Sequence, residues 1–378
     1  MNVLHLVHQY LPVRMIWLHR LIESHRNVSP SVFAYESRDG LPVVTPCHKA
    51  LDAPPLAGAI NKLSFRLFGR FPMVKEMIER HEIDVLHGHF GNFSYRFLKT
   101  ALDTNTPLVT SFYGRDLSSL ARKKKHRKRY LILFEKGHRF IVEGPSAAKA
   151  LIKLGCPEDK IRVVHFGIYP KQIPFKRRTW SPGETFEILM AAGLAEKKGH
   201  LYALAAVARL VQKGVGVHFT VIGSGEEQAT IEKAVTELGL HRHVTLVPGM
   251  PYNALIDQMH RAHVFLHPSV TASDGDTEGG APVVLLDALA SGLPVVSSLH
   301  ADIPTIVPHG LVGLLAPEGD VTALTSHLES LIDHPEQLSA FSESSRKHVE
   351  MNHDWNKQIL KIEAVYAECV SSKKQSQE

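Results

Sequence analysis

The sequence predicts an α/β protein built from two doubly wound, Rossmann-like domains, and three observations lead there. First, 378 residues exceed what one hydrophobic core usually organises. Second, short apolar runs of strand length alternate with stretches of helical periodicity along the whole chain. That is the βαβ rhythm of a parallel sheet covered on both faces. Third, residues 169–184 hold Pro170, Pro174, Pro182 and the basic cluster Lys176-Arg177-Arg178, a composition expected of an interdomain linker. The chain therefore divides into residues 1–168, the linker 169–184, residues 185–352, and a terminal helix with a polar tail over 353–378.

In the first half, strands are expected at Val3–Val7, Ser31–Ala34, Val85–Leu86, Leu108–Ser111, Phe140–Val142 and Arg162–Val164, with helices over Phe65–His81 and Ser94–Leu102. In the second half they are expected at Phe186–Met190, Val217–Ile222, Val244–Val247, His263–His267 and Val295–Ser298. A helix is expected over Glu226–Leu238, and Leu331–Cys369 reads as largely helical. Ligands on such sheets gather beyond the carboxyl ends of the strands, so the loops there carry the functional reading.

Composition narrows the function. Hydrophobic content of 44% and charged content of 21% are those of an ordinary globular protein, and no apolar run approaches the ~18 residues of a membrane span. The N-terminus lacks the basic region and long apolar core of an export signal, and the scattered Cys47, Cys156 and Cys369 suit a reducing cytoplasm. A net charge of +5 permits an anionic substrate or surface. The 24 histidines form no metal-binding motif, so no metal is expected.

The most informative stretch is Thr271–Ser298. A glycine-rich loop ends in Glu278-Gly279-Gly280-Ala281, Pro282 is expected to open an apolar helix, and Asp287 lies within that helix. Free amides at Gly279, Gly280 and Ala281 would offer an anion site between two carboxylates, Glu278 and Asp287. A ligand presenting hydroxyls, phosphates and hydroxyls in that order is a nucleotide sugar. Each part has a plainer reading: a Gly-Gly loop is common, and Asp274-Gly275-Asp276 suits a solvated turn as well as a cation.

Taken whole, the stretch resembles the signature of family 4 of the retaining glycosyltransferases, with Glu278 as the first acid and Asp287 as the second, before Ala288-Leu289-Ala290-Ser291-Gly292-Leu293-Pro294-Val295. Here the second acid is Asp in place of Glu, and the spacing is one residue longer. The resemblance implies the GT-B architecture: two Rossmann-like domains facing an interdomain cleft, the first on the acceptor side and the second binding nucleotide sugar. Trp355 and Tyr366 resemble anchors of a terminal helix that crosses back to the first domain.

Other loops carry the resemblance. Gly193-Leu194-Ala195-Glu196-Lys197-Lys198-Gly199 resembles the family's Gly-Arg-x-x-x-Lys-Lys-Gly, which clamps the donor diphosphate; Lys198 matches the lysine, and Gly193 stands in place of the arginine. Gly223-Ser224-Gly225 resembles the Gly-x-Gly turn. Asp84-Val85-Leu86-His87-Gly88-His89-Phe90-Gly91 resembles a stretch of the bacterial colanic acid and amylovoran subgroup. His89 there is either an acceptor-orienting, proton-handling group or a structural histidine. In Thr110–Asp116, Tyr113 replaces the family's histidine, and Tyr113 and Asp116 are assigned to binding or loop shape. The loop His8–Trp17 lacks the family's glycine pair, and Trp17 either packs as core or stacks on a sugar.

The resemblance thus implies transfer of a hexose from a nucleotide diphosphate sugar, as co-substrate and without further cofactor, to a saccharide or lipid-linked saccharide acceptor in surface polysaccharide biosynthesis. Lys198, Glu278 and His89 are the catalytic candidates; Gly193, Lys198, Gly223, Glu278, Gly279, Gly280, Ala281 and Asp287 line the donor; Trp17, Tyr113 and Asp116 lie on the acceptor side. The basic run Arg122–Arg129 is either a solvated face or a contact with anionic membrane at the inner face of the cell membrane. No reader motif for nucleic acid accompanies it. Two other readings stay open: an epimerase or phosphorylase on the same fold, and a non-catalytic nucleotide-sugar-binding partner. The second draws on Gly193, Tyr113 and Asp287, where this chain departs from the family pattern.

Overall fold

In the computed structural model, thirteen strands form two parallel sheets among the described residues, which are 1–10, 15–37, 45–49, 63–64 and 71–375. The first sheet contains β1 (Asn2–Tyr10), β2 (Ser29–Ser37), β3 (Cys47–Lys49), β4 (Val85–His89), β5 (Leu108–Ser111), β6 (Arg139–Val142) and β7 (Ile161–Val163), in the order β3-β2-β1-β4-β5-β6-β7. The second contains β8 (Phe186–Ala191), β9 (Val217–Ile222), β10 (Val244–Val247), β11 (Val264–His267), β12 (Val295–Ser298) and β13 (Gly313–Ala316), in the order β10-β9-β8-β11-β12-β13. Both sheets are doubly wound, and the strand order reverses between β1 and β4 in one and between β8 and β11 in the other. At such a switch point neighbouring loops leave in opposite directions and open a crevice at the strands' carboxyl ends.

The chain separates into two units. One is Met1–His165 together with Trp355–Glu378, and the other is Phe166–Asp354. The first core is aromatic, with Phe33, Phe71, Phe97, Phe112, Phe134 and Phe140 buried together. The second is mainly aliphatic, with Leu204, Val207, Val221, Leu266, Val296 and Leu328 at its centre. Continuous apolar runs make the middle strands, as parallel strands buried on both faces require.

Several boundaries differ from the sequence reading. The edge strands β3 and β13 were not foreseen, being short and poor in β-branched residues. The expected helix over Phe65–His81 is Pro72–Arg80, with residues 65–70 outside the described set, as are residues 11–14 of the loop after β1. Pro282 does not open the helix that follows it: the helix is Val284–Ala290, capped by Val283. The 282 and 283 carbonyls accept from Leu285 and Leu286 in a tight first turn, which sets Pro282 just outside the helix. The Pro- and Arg-rich segment after Phe166 packs onto the second unit. There Arg178 is fully buried and donates to the Met259 carbonyl at 2.9 Å and to Ser291 Oγ at 3.2 Å. Among the described residues, no helix is long and apolar enough to cross a membrane.

Gly199 holds the second switch point together. It has φ +75°, and a Cβ there would lie 1.8 Å from the Pro268 carbonyl oxygen just after β11. Only glycine lets the loops after β8 and β11 approach so closely. Gly199→Ala is therefore expected to cost about 2–3 kcal/mol in urea unfolding, from left-handed strain and overlap together. Gly216→Ala, with open space around it and no positive φ, should stay within about 0.5 kcal/mol of the parent.

Candidate active site

The loop after β8 folds as a short 3-10 turn, Glu196–Lys198, and presents three consecutive side chains to the loop after β11. Glu196 accepts from the Ser273 amide at 2.8 Å and from its hydroxyl at 2.7 Å. Lys197 Nζ pairs with Asp276 Oδ2 and bonds the Thr277 carbonyl, both at 3.0 Å. Lys198 Nζ reaches both carboxylate oxygens of Glu278 at 2.8 Å. The polar loop 269–278, which sequence alone leaves shapeless, is thus tied down at each turn. Asp276 is an ion-pair partner and Asp274 Oδ1 accepts the Asp276 amide at 2.7 Å, the arrangement of the turn reading.

Glu278 is the best-held carboxylate of the loop. Its side chain is 7% exposed and that of Lys198 19%. Ser269 Oγ donates to Oε1 at 2.9 Å, and its own amide donates to His300 Nε2 at 3.1 Å. That amide sets the His300 tautomer: the proton sits on Nδ1, which donates to Glu318 Oε1 at 2.7 Å. Burial pushes the Glu278 carboxyl up, but the Lys198 ammonium beside it, with Lys197 behind, outweighs burial and holds it well below the usual carboxylate range. It is ionised at any physiological pH.

Immediately downstream, the amides of Gly279, Gly280 and Ala281 donate to no acceptor among the described residues, and Gly280 and Ala281 are buried. Unpaired buried amides are uncommon and suit an incoming anion. Asp287 is buried and accepts from Tyr252 Oη at 2.7 Å, a partner 35 positions away that no linear motif reveals. Gly223 contributes clearance: its amide is used on the Val247 carbonyl at 2.9 Å, and a Cβ would lie 1.9 Å from the Ala192 carbonyl oxygen. Gly193 is exposed at the end of β8. Lys198 and Glu278 therefore meet where the loops after β8 and β11 join, and Gly279–Ala281 follow Glu278 directly in the chain.

The first-unit candidates form a different structure. His5 and His87 are paired in register on β1 and β4, and His89 lies two residues further along the same face. His5 Nδ1 bonds His89 Nε2 at 3.0 Å, and His89 Nδ1 bonds Tyr113 Oη at 2.8 Å. His87 bonds Tyr366 Oη at 2.6 Å and Ser111 Oγ at 2.8 Å. All three imidazoles are fully buried. One ring nitrogen of each lies within 4.8 Å of the others, close enough to suggest a cation. Yet every ring nitrogen except His5 Nε2 already has a hydrogen-bond partner. Asp116 is also buried, accepting from the Gly91 amide at 3.0 Å and Tyr130 Oη at 2.7 Å, which makes it a loop-shaping residue. Trp17 packs at a tilt against Tyr113, with ring centroids 4.8 Å apart.

Two doubly wound units, one with a lysine–carboxylate pair where the loops of its switch point join, define a Rossmann-type α/β protein. Residues 19–172 match the family described as Glycosyltransferase Family 4, and residues 172–348 match Glycosyl transferases group 1. The chain is 39% identical over 220 residues to the amylovoran biosynthesis glycosyltransferase AmsK of Erwinia amylovora, covering 58% of this chain and 54% of AmsK. It is 32% identical over 283 residues to WcaL of Escherichia coli, assigned by name to colanic acid biosynthesis, covering 74% of this chain and 69% of WcaL. Among solved structures, Anabaena HepE in complex with UDP and glucose superposes with a TM-score of 0.78 over 97% of this chain and 99% of that one, at 17% identity. Sucrose-phosphate synthase of Thermosynechococcus elongatus gives 0.78 at 16% identity, over 98% and 100%. The chain belongs to glycosyltransferase family 4, and its fold is GT-B.

The buried histidines set a pH dependence. Burial drives His5, His87 and His89 well below the ordinary imidazole range, and His25 to about 4 despite Glu363 beside it. The unfolded chain takes up these protons below pH ~6.5 and the folded chain refuses them, so stability is full above 6.5 and is lost as pH falls. Each proton contributes about 1.4 kcal/mol per pH unit. Asp116, raised to about 6 by burial, opposes this by one proton. Urea midpoints are expected to fall from pH 7 to 5; a flat or rising profile would contradict the buried neutral imidazoles.

Proposed function

We propose that this chain transfers a hexose from a nucleoside diphosphate sugar to a saccharide, or lipid-linked saccharide, acceptor of a bacterial surface polysaccharide, with retention of configuration. The observation that carries the reading is the part-buried Lys198–Glu278 pair followed by Gly279–Ala281 amides that have no acceptor among the described residues. The names of AmsK and WcaL support the biosynthetic setting, and the HepE complex supports a nucleotide donor.

In this reading Lys198 and the amides receive the diphosphate, Glu278 holds the hexose hydroxyls and Asp287 the ribose. The bond from the anomeric carbon to the leaving oxygen breaks, and its electron pair stays on the diphosphate. The acceptor oxygen bonds the same face of the oxocarbenium-like carbon and gives its proton to a phosphate oxygen. The protein supplies position and charge stabilisation, so no protein nucleophile is needed.

Thermal-shift titration with UDP-, GDP- and dTDP-sugars tests donor binding: selective stabilisation by one of them is expected. Lys198→Ala and Glu278→Gln should each lower kcat/KM for that donor at least about tenfold, equivalent to ~1.4 kcal/mol. Parental turnover in either variant would refute the assignment.

The basic run supports a peripheral contact with anionic membrane. Lys124, Lys125, Arg127 and Lys128 lie exposed in the first turns of the helix Lys124–Lys136, which has no acid in its first turn. Cations at a helix N-terminus oppose the macrodipole, so they stand there at some cost to the fold. Toward anionic lipid each contributes about 1 kcal/mol. Replacing Lys124, Lys125 and Lys128 by Glu should abolish sedimentation with phosphatidylserine vesicles while leaving the melting temperature equal or higher. Unchanged vesicle binding would exclude this contact.

A further inference from the structure

His267 closes β11, and its ring is fully buried with neither Nδ1 nor Nε2 in a hydrogen bond. A neutral imidazole carries one N–H and one lone pair, and leaving both unused inside a protein is costly enough to call for a reason. Around the ring stand Lys198 and His200 from the β8 side, Glu278 from the loop beyond β11, and His300 from beyond β12. The acceptor within reach is Glu278: its Oε1 lies 3.9 Å from His267 Nε2, too far for a hydrogen bond. Glu278 is held at that distance because Lys198 takes both of its oxygens and Ser269 takes Oε1 again.

This arrangement is complete only while Lys198 has no other anion to serve. A diphosphate offers the ammonium a stronger partner and draws it off the carboxylate. Glu278 is then a buried charge short of a donor, and a buried carboxylate must find one. We propose that His267 is the alternate partner of Glu278, taking the carboxylate onto its Nε2–H when Lys198 turns to phosphate and so fixing Glu278 for the sugar hydroxyls. This rests on the assignment of Lys198 to the diphosphate and Glu278 to the hexose. His267 acts through Glu278 and is a positioning residue. The exchange forms one hydrogen bond and loosens two, and no proton leaves the imidazole. Burial, the largest influence on His267, lowers its affinity for a second proton, which keeps the ring neutral and a single donor.

The exchange is testable without any nucleotide. In a crystal structure of Lys198→Met, which removes the competing cation, Glu278 Oε1 is expected to close from 3.9 Å to hydrogen-bond distance on His267 Nε2, below about 3.2 Å. A carboxylate that stays apart or turns to solvent overturns the proposal. The consequence for binding is read with UDP against UDP-glucose and GDP against GDP-mannose. His267→Leu should weaken the sugar nucleotide about tenfold while leaving the matching nucleoside diphosphate within about twofold, a split of ~1.4 kcal/mol. His267→Gln, which restores an N–H, should recover most of the loss. Equal weakening of both ligands, or no rescue by Gln, marks a merely structural histidine and overturns the proposal. If no nucleotide binds even the parent chain, the donor assignment fails, whereas the Lys198→Met structure still decides the exchange on its own.

Discussion

The Lys198–Glu278 ion pair is the contact on which the second unit's loops depend. Two opposite charges with side chains 19% and 7% exposed gain little as an isolated stabiliser, because desolvation consumes most of the attraction. Their value here is positional. The pair draws the loop after β8 onto the loop after β11, and Glu196–Ser273 and Lys197–Asp276 repeat the same join on either side. Gly199 against the Pro268 carbonyl supplies the close backbone approach that lets three successive side chains reach across.

On the proposed donor assignment, ion pairing and ligand binding at this site are compatible. A lysine committed to a carboxylate would ordinarily be a poor phosphate ligand. On that assignment the carboxylate keeps one further donor, Ser269 Oγ, so a phosphate would compete for only part of its support.

How much of this was readable beforehand depends on the range of the interaction. The middle strands were legible because parallel strands buried on both faces write themselves as apolar runs; the edge strands β3 and β13, three and four residues long, leave no such trace. The glycine-rich loop, Lys198, Glu278 and Asp287 were singled out by their resemblance to the family's motifs. Their partners were not: Lys198 meets Glu278 80 positions away, and Tyr252 meets Asp287 35 away. Such pairings follow from which loops share a switch point, which a linear reading does not contain. His89 shows the reverse case. Its motif suggested chemistry, and the structure puts it in the middle of a buried chain of hydrogen bonds from His5 to Tyr113 that no linear reading contains.

The helix Trp355–Gln375 has a consequence for how the chain is made. It supplies Tyr366 to His87 and Glu363 to the Arg26 and Asn27 amides, so the first unit is finished by residues translated after the whole of the second. Phe166–Asp354, by contrast, is one uninterrupted stretch. On the ribosome the middle of the protein can therefore complete its core while the amino-terminal sheet still waits for its last helix, its row of imidazoles open to water until that strap arrives.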